Sequence, residues 1–300
     1  MKAKRSDSIL WLVITILAAV ICTAVRRWQL YSAFEGDLRL PIPMALPTIL
    51  LVGLYVLCGA GLFLLSRRQP VARSLRRTPA LALYAGNDTL VLGALVCSAF
   101  LSLIAAFILF RDGLRLWTDY QSILATARAQ GITIPGGNNG VLTLATAVTS
   151  LLSFVGLLVV GKAAYRNLDK GRLAILLPAV NGCLWLMDIY RSQAANPVLW
   201  DYAPLLLAIV SGILMFLDWA GLYAGAFAPR RTLWMAAMTT IFSGTALAGE
   251  WTLSSAVLLC AQIIAALTVL RCVPNNLRYP PEPADEPVQA EEKLEEETHE

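Results

Sequence analysis

The residues of this chain that could do chemistry are the few polar side chains that stand inside long apolar runs. Ionisable and amide groups within a spanning helix are costly, so each is a candidate for a functional site. Asp188 lies in the fifth apolar run, Asp218 in the sixth, and Glu250 in the turn after the seventh. The remaining candidates carry amides or hydroxyls: Asn181, Thr239, Ser243 and Gln262.

The depth of these groups decides which of them can meet. Counting about 1.5 Å per residue through a core of roughly 30 Å places Asp218 about 9 Å and Asp188 about 24 Å from the inner edge. The two carboxylates therefore cannot form the contact dyad of an intramembrane aspartic protease. Asp188 and Glu250 become candidates at the outer face. The groups that come to one level, and predict a single polar site, are Asn181, Asp218, Thr239, Ser243 and Gln262.

Histidine and cysteine usage narrows the chemistry further. The only histidine is His299, near the end of the chain, and none of the six cysteines forms a C-x-x-C pair. The usual zinc sites and bis-histidine haem need histidines that the apolar runs lack. Phosphate-binding loops, H-E-x-x-H and G-x-S-x-G motifs are missing from the sequence as well. We therefore expect no enzyme activity, no catalytic residue, no metal and no cofactor.

The amino-acid composition indicates that these polar groups are positioned by membrane-spanning helices. Of 300 residues, 57% are hydrophobic and only 15% are charged, against roughly a quarter charged in soluble domains. Runs of about 20 apolar residues predict spanning helices. The sequence predicts an all-α, polytopic helical membrane bundle in residues 1–271, with about eight transmembrane helices at 9–25, 44–65, 89–110, 141–160, 172–190, 202–227, 232–248 and 253–270.

Orientation follows from the positive-inside rule. If the N-terminus is cytoplasmic, 17 of the 24 Lys and Arg residues fall on the cytoplasmic side and 7 on the other. The bias predicts that both termini lie inside. Arg26 and Arg27 fall just outside the first run, and we expect them to snorkel to lipid headgroups.

Two segments between spans carry their own predictions. The inner loop 69–81 contains Arg73, Arg76 and Arg77, and favours contact with anionic lipid. No aromatic residue is interleaved with these arginines, so nucleic acid is not an expected partner. The outer loop 111–140 shows apolar residues at helical spacing up to Gln130–Gly131, which predicts an amphipathic helix lying on the membrane surface. A lid over a site is the alternative.

The last segment, 272–300, is rich in proline and glutamate. Nine acidic residues and a lack of apolar ones are typical of a disordered tail, here expected in the cytoplasm. Docking of this tail on a basic protein partner, or on the basic inner loops of the same chain, is the functional alternative.

The second half of the chain, about residues 170–270, resembles a family of uncharacterised multi-span proteins from anaerobic Gram-positive bacteria. The resemblance implies a bacterial cytoplasmic membrane protein and carries no known activity. It rests on Leu-Pro at 177–178, Asp-Ile-Tyr-Arg at 188–191, Asn-Pro at 196–197, Asp-Tyr at 201–202 and Pro-Arg-Arg-Thr-Leu at 229–233.

Two functions from different classes fit these observations. The first is a non-enzymatic scaffold, sensor or accessory subunit, in which the polar groups only hydrogen-bond between helices. The second is a small-solute or proton-coupled carrier with a polar site around Asn181, Asp218 and Gln262. A water-filled cavity reaching Asp218 would favour the carrier, and a packed bundle would favour the scaffold.

Overall fold

A computed structural model describes residues 6–35, 40–42, 44–85, 88–131, 140–166, 171–194, 196, 198–226 and 228–280. Within these ranges the chain forms eight α-helices, and a pair of two-residue antiparallel strands, β1 (Phe34–Glu35) and β2 (Leu40–Pro41), follows the first helix. The helices are α1 (Ser6–Ser32), α2 (Leu46–Arg68), α3 (Thr89–Ala129), α4 (Val141–Arg166), α5 (Leu176–Gln193), α6 (Leu199–Tyr223), α7 (Pro229–Ala246) and α8 (Leu253–Arg278).

The predicted all-α membrane bundle is confirmed. Seven of the eight described helices are long and apolar enough to cross a membrane, which makes the chain a multi-pass integral membrane protein. The exception is α7, which corresponds to the predicted seventh span. It packs against α1, α2, α6 and α8. Because most of its surface meets protein rather than lipid, it carries threonines, serines and small residues instead of a continuous apolar run.

Both ends of the described chain lie at one end of the bundle, here called the terminal face. Arg278 Nη1 lies 3.2 Å from Asp7 Oδ2, and the Asn275 amide donates to the Ser8 hydroxyl at 3.0 Å. Helix α8 therefore runs eight residues past the predicted span end at 270. Cys272 and Leu277 are buried in the core, so they belong to the bundle and not to a tail. The rest of the predicted tail, 281–300, lies outside the described residues.

Helix α3 differs most from its predicted length. It continues without a break for 41 residues, a length of about 60 Å against a hydrocarbon core of roughly 30 Å. The predicted surface helix after 110 is therefore the direct continuation of the third span. Gly140, with a φ of +72°, brings the start of α4 against Gly113 and Trp117 of α3. The α3 residues after Trp117 consequently extend past the start of α4, and the helix ends before Gly131 (φ +70°).

Candidate functional site

Asn181 joins α5 to α4 through its side-chain oxygen. The hydroxyls of Thr149 and Ser150 both donate to Asn181 Oδ1, each at 2.9 Å. Pro178 and Trp185 stand on the same stripe of α5, and both are buried. Two charge-neutral hydrogen bonds satisfy an acceptor that would be expensive to leave alone in hydrocarbon.

Gln262 joins α8 to α6 in the same way. Its amide nitrogen donates to the carbonyl oxygen of Ala208 at 2.6 Å. To do so the side chain lies directly against the Cα of Gly212, where any Cβ would overlap the amide. Gly212 is therefore needed for this interhelical hydrogen bond, because the Gln262 amide occupies the space that a Cβ at position 212 would take.

Asn181 and Gln262 line one cavity among α3, α4, α5, α6 and α8. Ser98 bounds it too, and its hydroxyl donates to Ala261 O at 2.7 Å. The cavity encloses about 30 Å³, which is room for about one water molecule. The other residues of its wall are Ser102, Ser153, Leu157, Pro178, Gly182, Trp185, Ile209, Gly212, Ile213, Phe216, Leu258 and Ala261.

Asp218 does not line this cavity. Its carboxylate is buried near the end of α6 and forms an ion pair with Arg231 in the first turn of α7. Arg231 Nε lies 2.8 Å from Oδ1 and 2.9 Å from Oδ2, and Nη2 contacts Oδ1 as well. The Asp218 carboxylate raises the pKa of the Arg231 guanidinium through these charge-assisted hydrogen bonds.

Thr239 and Ser243 also lie apart from the cavity wall. Both are fully buried in α7, and their hydroxyls have no hydrogen-bond partner in the described part of the chain. Thr240 and Thr245, by contrast, donate to carbonyls one turn back on the same helix. The predicted five-residue site is therefore divided among three places. Asn181 and Gln262 share a cavity, Asp218 is ion-paired with Arg231, and Thr239 and Ser243 are buried in α7.

The two outer-face candidates lie at the end of the bundle opposite the terminal face. Thr143 of α4 donates to Asp188 Oδ1 at 3.0 Å, and Arg191 one turn later adds a favourable electrostatic interaction. Glu250 lines a pocket of about 220 Å³ together with Arg27 and Asp201. Arg27 donates to the carbonyl of Ala248 at 3.0 Å, which fixes it to the turn between α7 and α8.

Sequence reasoning missed Arg26 as a structural residue. Its side chain is 1% exposed, where snorkelling to headgroups was predicted. Nη1 donates to Gln29 Oε1 at 2.6 Å and Nη2 to the carbonyl of Asp201 at 2.9 Å, which connects α1 to the start of α6. Arg26 and Arg27 are adjacent at the end of the apolar run, and the sequence does not show which of the two side chains is buried. Only the structure does so, through the hydrogen bond from Arg26 to the carbonyl of Asp201.

No family model matches the chain, and no curated protein or solved structure is significantly similar to it. The described residues contain no group of three or more His, Cys, Asp or Glu side chains that could hold a metal ion.

Proposed function

We propose that this multi-pass membrane protein is a non-enzymatic scaffold or accessory subunit that works through contacts with a partner. The proposal includes a location in a bacterial cytoplasmic membrane with the terminal face in the cytoplasm. The basic residues expected on that side support this orientation, and the two termini share one face of the bundle.

The observation that carries the proposal is the part of α3 that extends past the start of α4. Twelve residues after Trp117 remain helical to Ala129, which adds about 18 Å of helix beyond the neighbouring helix. Trp117 and Ile123 are 43% and 53% exposed there. Three charged residues end the apolar run before this segment: Arg111, Asp112 and Arg115. We therefore place these apolar side chains beyond the hydrocarbon core and propose that they belong to a surface covered by another protein.

The polar interior supports the same conclusion. Asn181, Gln262 and Asp188 make hydrogen bonds between helices, and Asp218 is held by Arg231. Side chains used in this way hold helices together. The cavity beside Asn181 has room for about one water, which is too small for an organic solute.

At the terminal face, Arg73, Arg76 and Arg77 are exposed on the loop between α2 and α3. Cations at this level are attracted by the negative surface of an anionic leaflet, each by about 1 kcal/mol. Anionic lipid is therefore the lipid partner that we propose for this surface whenever no other anionic group occupies it.

A carrier remains the second candidate, on one specific observation. Asn181 and Gln262 line the same cavity with Ser98, Ser102 and Ser153, so polar groups from four helices meet inside the bundle. In this second proposal the cavity binds a proton or a single water molecule during transport. Asp218, the carboxylate predicted to be part of the transport site, does not line the cavity.

Photo-crosslinking in intact cells tests the proposal. A photoreactive amino acid replaces Ile123 on the α3 extension. The matched control replaces Val56 in the middle of α2, which is 67% exposed. We expect one discrete protein adduct from position 123 and none from position 56. An absence of adducts at 123, together with a proton flux in proteoliposomes that Asn181→Ala abolishes, would establish the carrier instead.

A further inference from the structure

Three exposed arginines on the loop between α2 and α3 are here called the arginine cap: Arg73, Arg76 and Arg77. This loop is hydrogen-bonded to the end of α8. The backbone N–H of Ala72 donates to the carbonyl of Leu277 at 2.9 Å. Leu75, between the arginines, is fully buried in the core. Asn276 donates to the carbonyls of Ala82 and Tyr84 further along the same loop. The cap is therefore a fixed cationic surface beside the last turn of the described chain.

Within the described residues, the three cap arginines have no carboxylate within ion-pair distance, and all three are exposed. Every carboxylate that the described chain places on the terminal face is already paired with an arginine elsewhere. These pairs are Asp7 with Arg278, Asp88 with Arg271 and Asp218 with Arg231. The positive charge of the cap is thus left uncompensated by the folded bundle.

The chain leaves the bundle next to this surface. The acidic segment, residues 281–300, contains nine of the 20 acidic residues of the protein and a single lysine. Its attachment point, Pro280, is at most roughly 20 Å from Arg73, because Leu277 contacts Ala72 and only two residues lie between Leu277 and Pro280. A chain of 20 residues can extend over at most roughly 70 Å, so the length of the segment allows its glutamates to reach the cap.

We propose that the acidic segment docks on the arginine cap of its own chain. The attraction is electrostatic and falls with ionic strength, since the Debye length shortens from about 8 Å at 0.15 M to about 3 Å at 1 M salt. Tethering supplies an effective concentration in the millimolar range. Docking of the segment excludes anionic headgroups from the cap. The inference does not depend on which side of the membrane the terminal face occupies, or on the scaffold function.

Carbodiimide crosslinking of the full chain tests the docking. Arg73→Lys, Arg76→Lys and Arg77→Lys keep the positive charges and provide amines, which the reagent joins to carboxylates at ion-pair distance. The matched control makes the same exchange at Arg111, Arg115 and Arg128, at the opposite end of the bundle. Each variant is reconstituted in neutral vesicles and in vesicles with anionic phosphatidylglycerol. Isotope-labelled and unlabelled copies are mixed before crosslinking, to separate links within a chain from links between chains.

We expect amide links from the cap to residues 282–300 within one chain. These links should form in both kinds of vesicle and fall severalfold in 1 M salt. The control variant should give no link to residues 282–300, because its lysines lie at the far end of the bundle. No link to the cap, or links only between copies, would overturn the proposal. Links that form in neutral vesicles and disappear in anionic ones would also overturn it, since lipid would then hold the cap.

Discussion

The carboxylate of Asp218 and the guanidinium of Arg231 join the end of α6 to the first turn of α7. The carboxylate is 4% exposed and the arginine side chain 65%, so one partner is inside the bundle and the other reaches it from the surface. The pair explains how an ionised carboxylate is tolerated near the end of a spanning helix. A charged hydrogen bond satisfies it without any contact with the cavity beside Asn181.

Loss of the arginine should cost more stability than loss of the charge on the aspartate. Arg231→Gln leaves a buried carboxylate without its cation, at a cost of roughly 1–3 kcal/mol. Asp218→Asn removes the charge and keeps an acceptor, so we expect a smaller loss. Unfolding in detergent measures both. Arg230→Gln is the control, because Arg230 donates to the carbonyl of Gln69 and, within the described residues, forms no ion pair. Equal losses from Arg231→Gln and Arg230→Gln would show that the ion pair contributes nothing.

The position of the Gln262 amide against Gly212 should make Gly212 intolerant of any side chain. Gly212→Ala displaces the Gln262 amide and breaks its bond to Ala208, with an expected cost of about 1–3 kcal/mol. Combining it with Gln262→Ala should recover part of that loss, because the two changes are coupled. Gly53→Ala on α2 has open space around it and should be neutral or slightly stabilising. Additive losses in the double variant would contradict the predicted contact.

Asn181 should contribute to stability through its two hydroxyl donors. Asn181→Leu removes the acceptor for Thr149 and Ser150, and should cost roughly 1–2 kcal/mol of helix association. Cys183→Ala, on the exposed side of the same helix, serves as the control. Thermal unfolding in one detergent compares the two. A leucine variant as stable as the parent would mean that the hydroxyls bond elsewhere at no cost.

The spanning helices could be predicted from the sequence because a lipid-facing helix must be apolar along its length. The length of α3 could not be. Arg111, Asp112 and Arg115 mark the end of the apolar run, but charged residues do not end a helix. Gly113 does not end α3 either, and no glycine or proline follows Arg115 before Gly131. Hydropathy locates the membrane boundary. The end of the helix depends instead on residues such as glycine and proline, and the first of these after Arg115 is Gly131.

The candidate site, too, could be predicted from the sequence only in part. Depth along a helix follows from residue counting, and the structure brings Asn181 and Gln262 to one cavity. Rotation about each helix axis does not follow from counting, so nothing in the sequence shows that Thr239 and Ser243 lie apart from that cavity. The partner of Asp218 was equally hidden, since Arg231 belongs to the next helix and reaches back across the turn.

Membrane orientation can be measured with an impermeant thiol reagent on a chain without its native cysteines. We expect Glu292→Cys to be labelled only after the membrane is opened, since the basic bias puts the termini in the cytoplasm. Ala125→Cys on the α3 extension should be labelled in intact cells. Labelling of both positions from the same side would require an even number of crossings between them. That result would rule out the predicted threading.

The most direct test of a function through contacts is the native size of the complex extracted from its own membrane. Trp117→Glu with Ile123→Glu places charges on the exposed side chains of the α3 extension, and Asn181→Ala alters the cavity. We predict that the protein mass of the parent complex, measured without the bound detergent, lies well above its own 32.5 kDa. The double glutamate variant should lose this excess, and Asn181→Ala should keep it. An unchanged size for the glutamate variant would contradict the account.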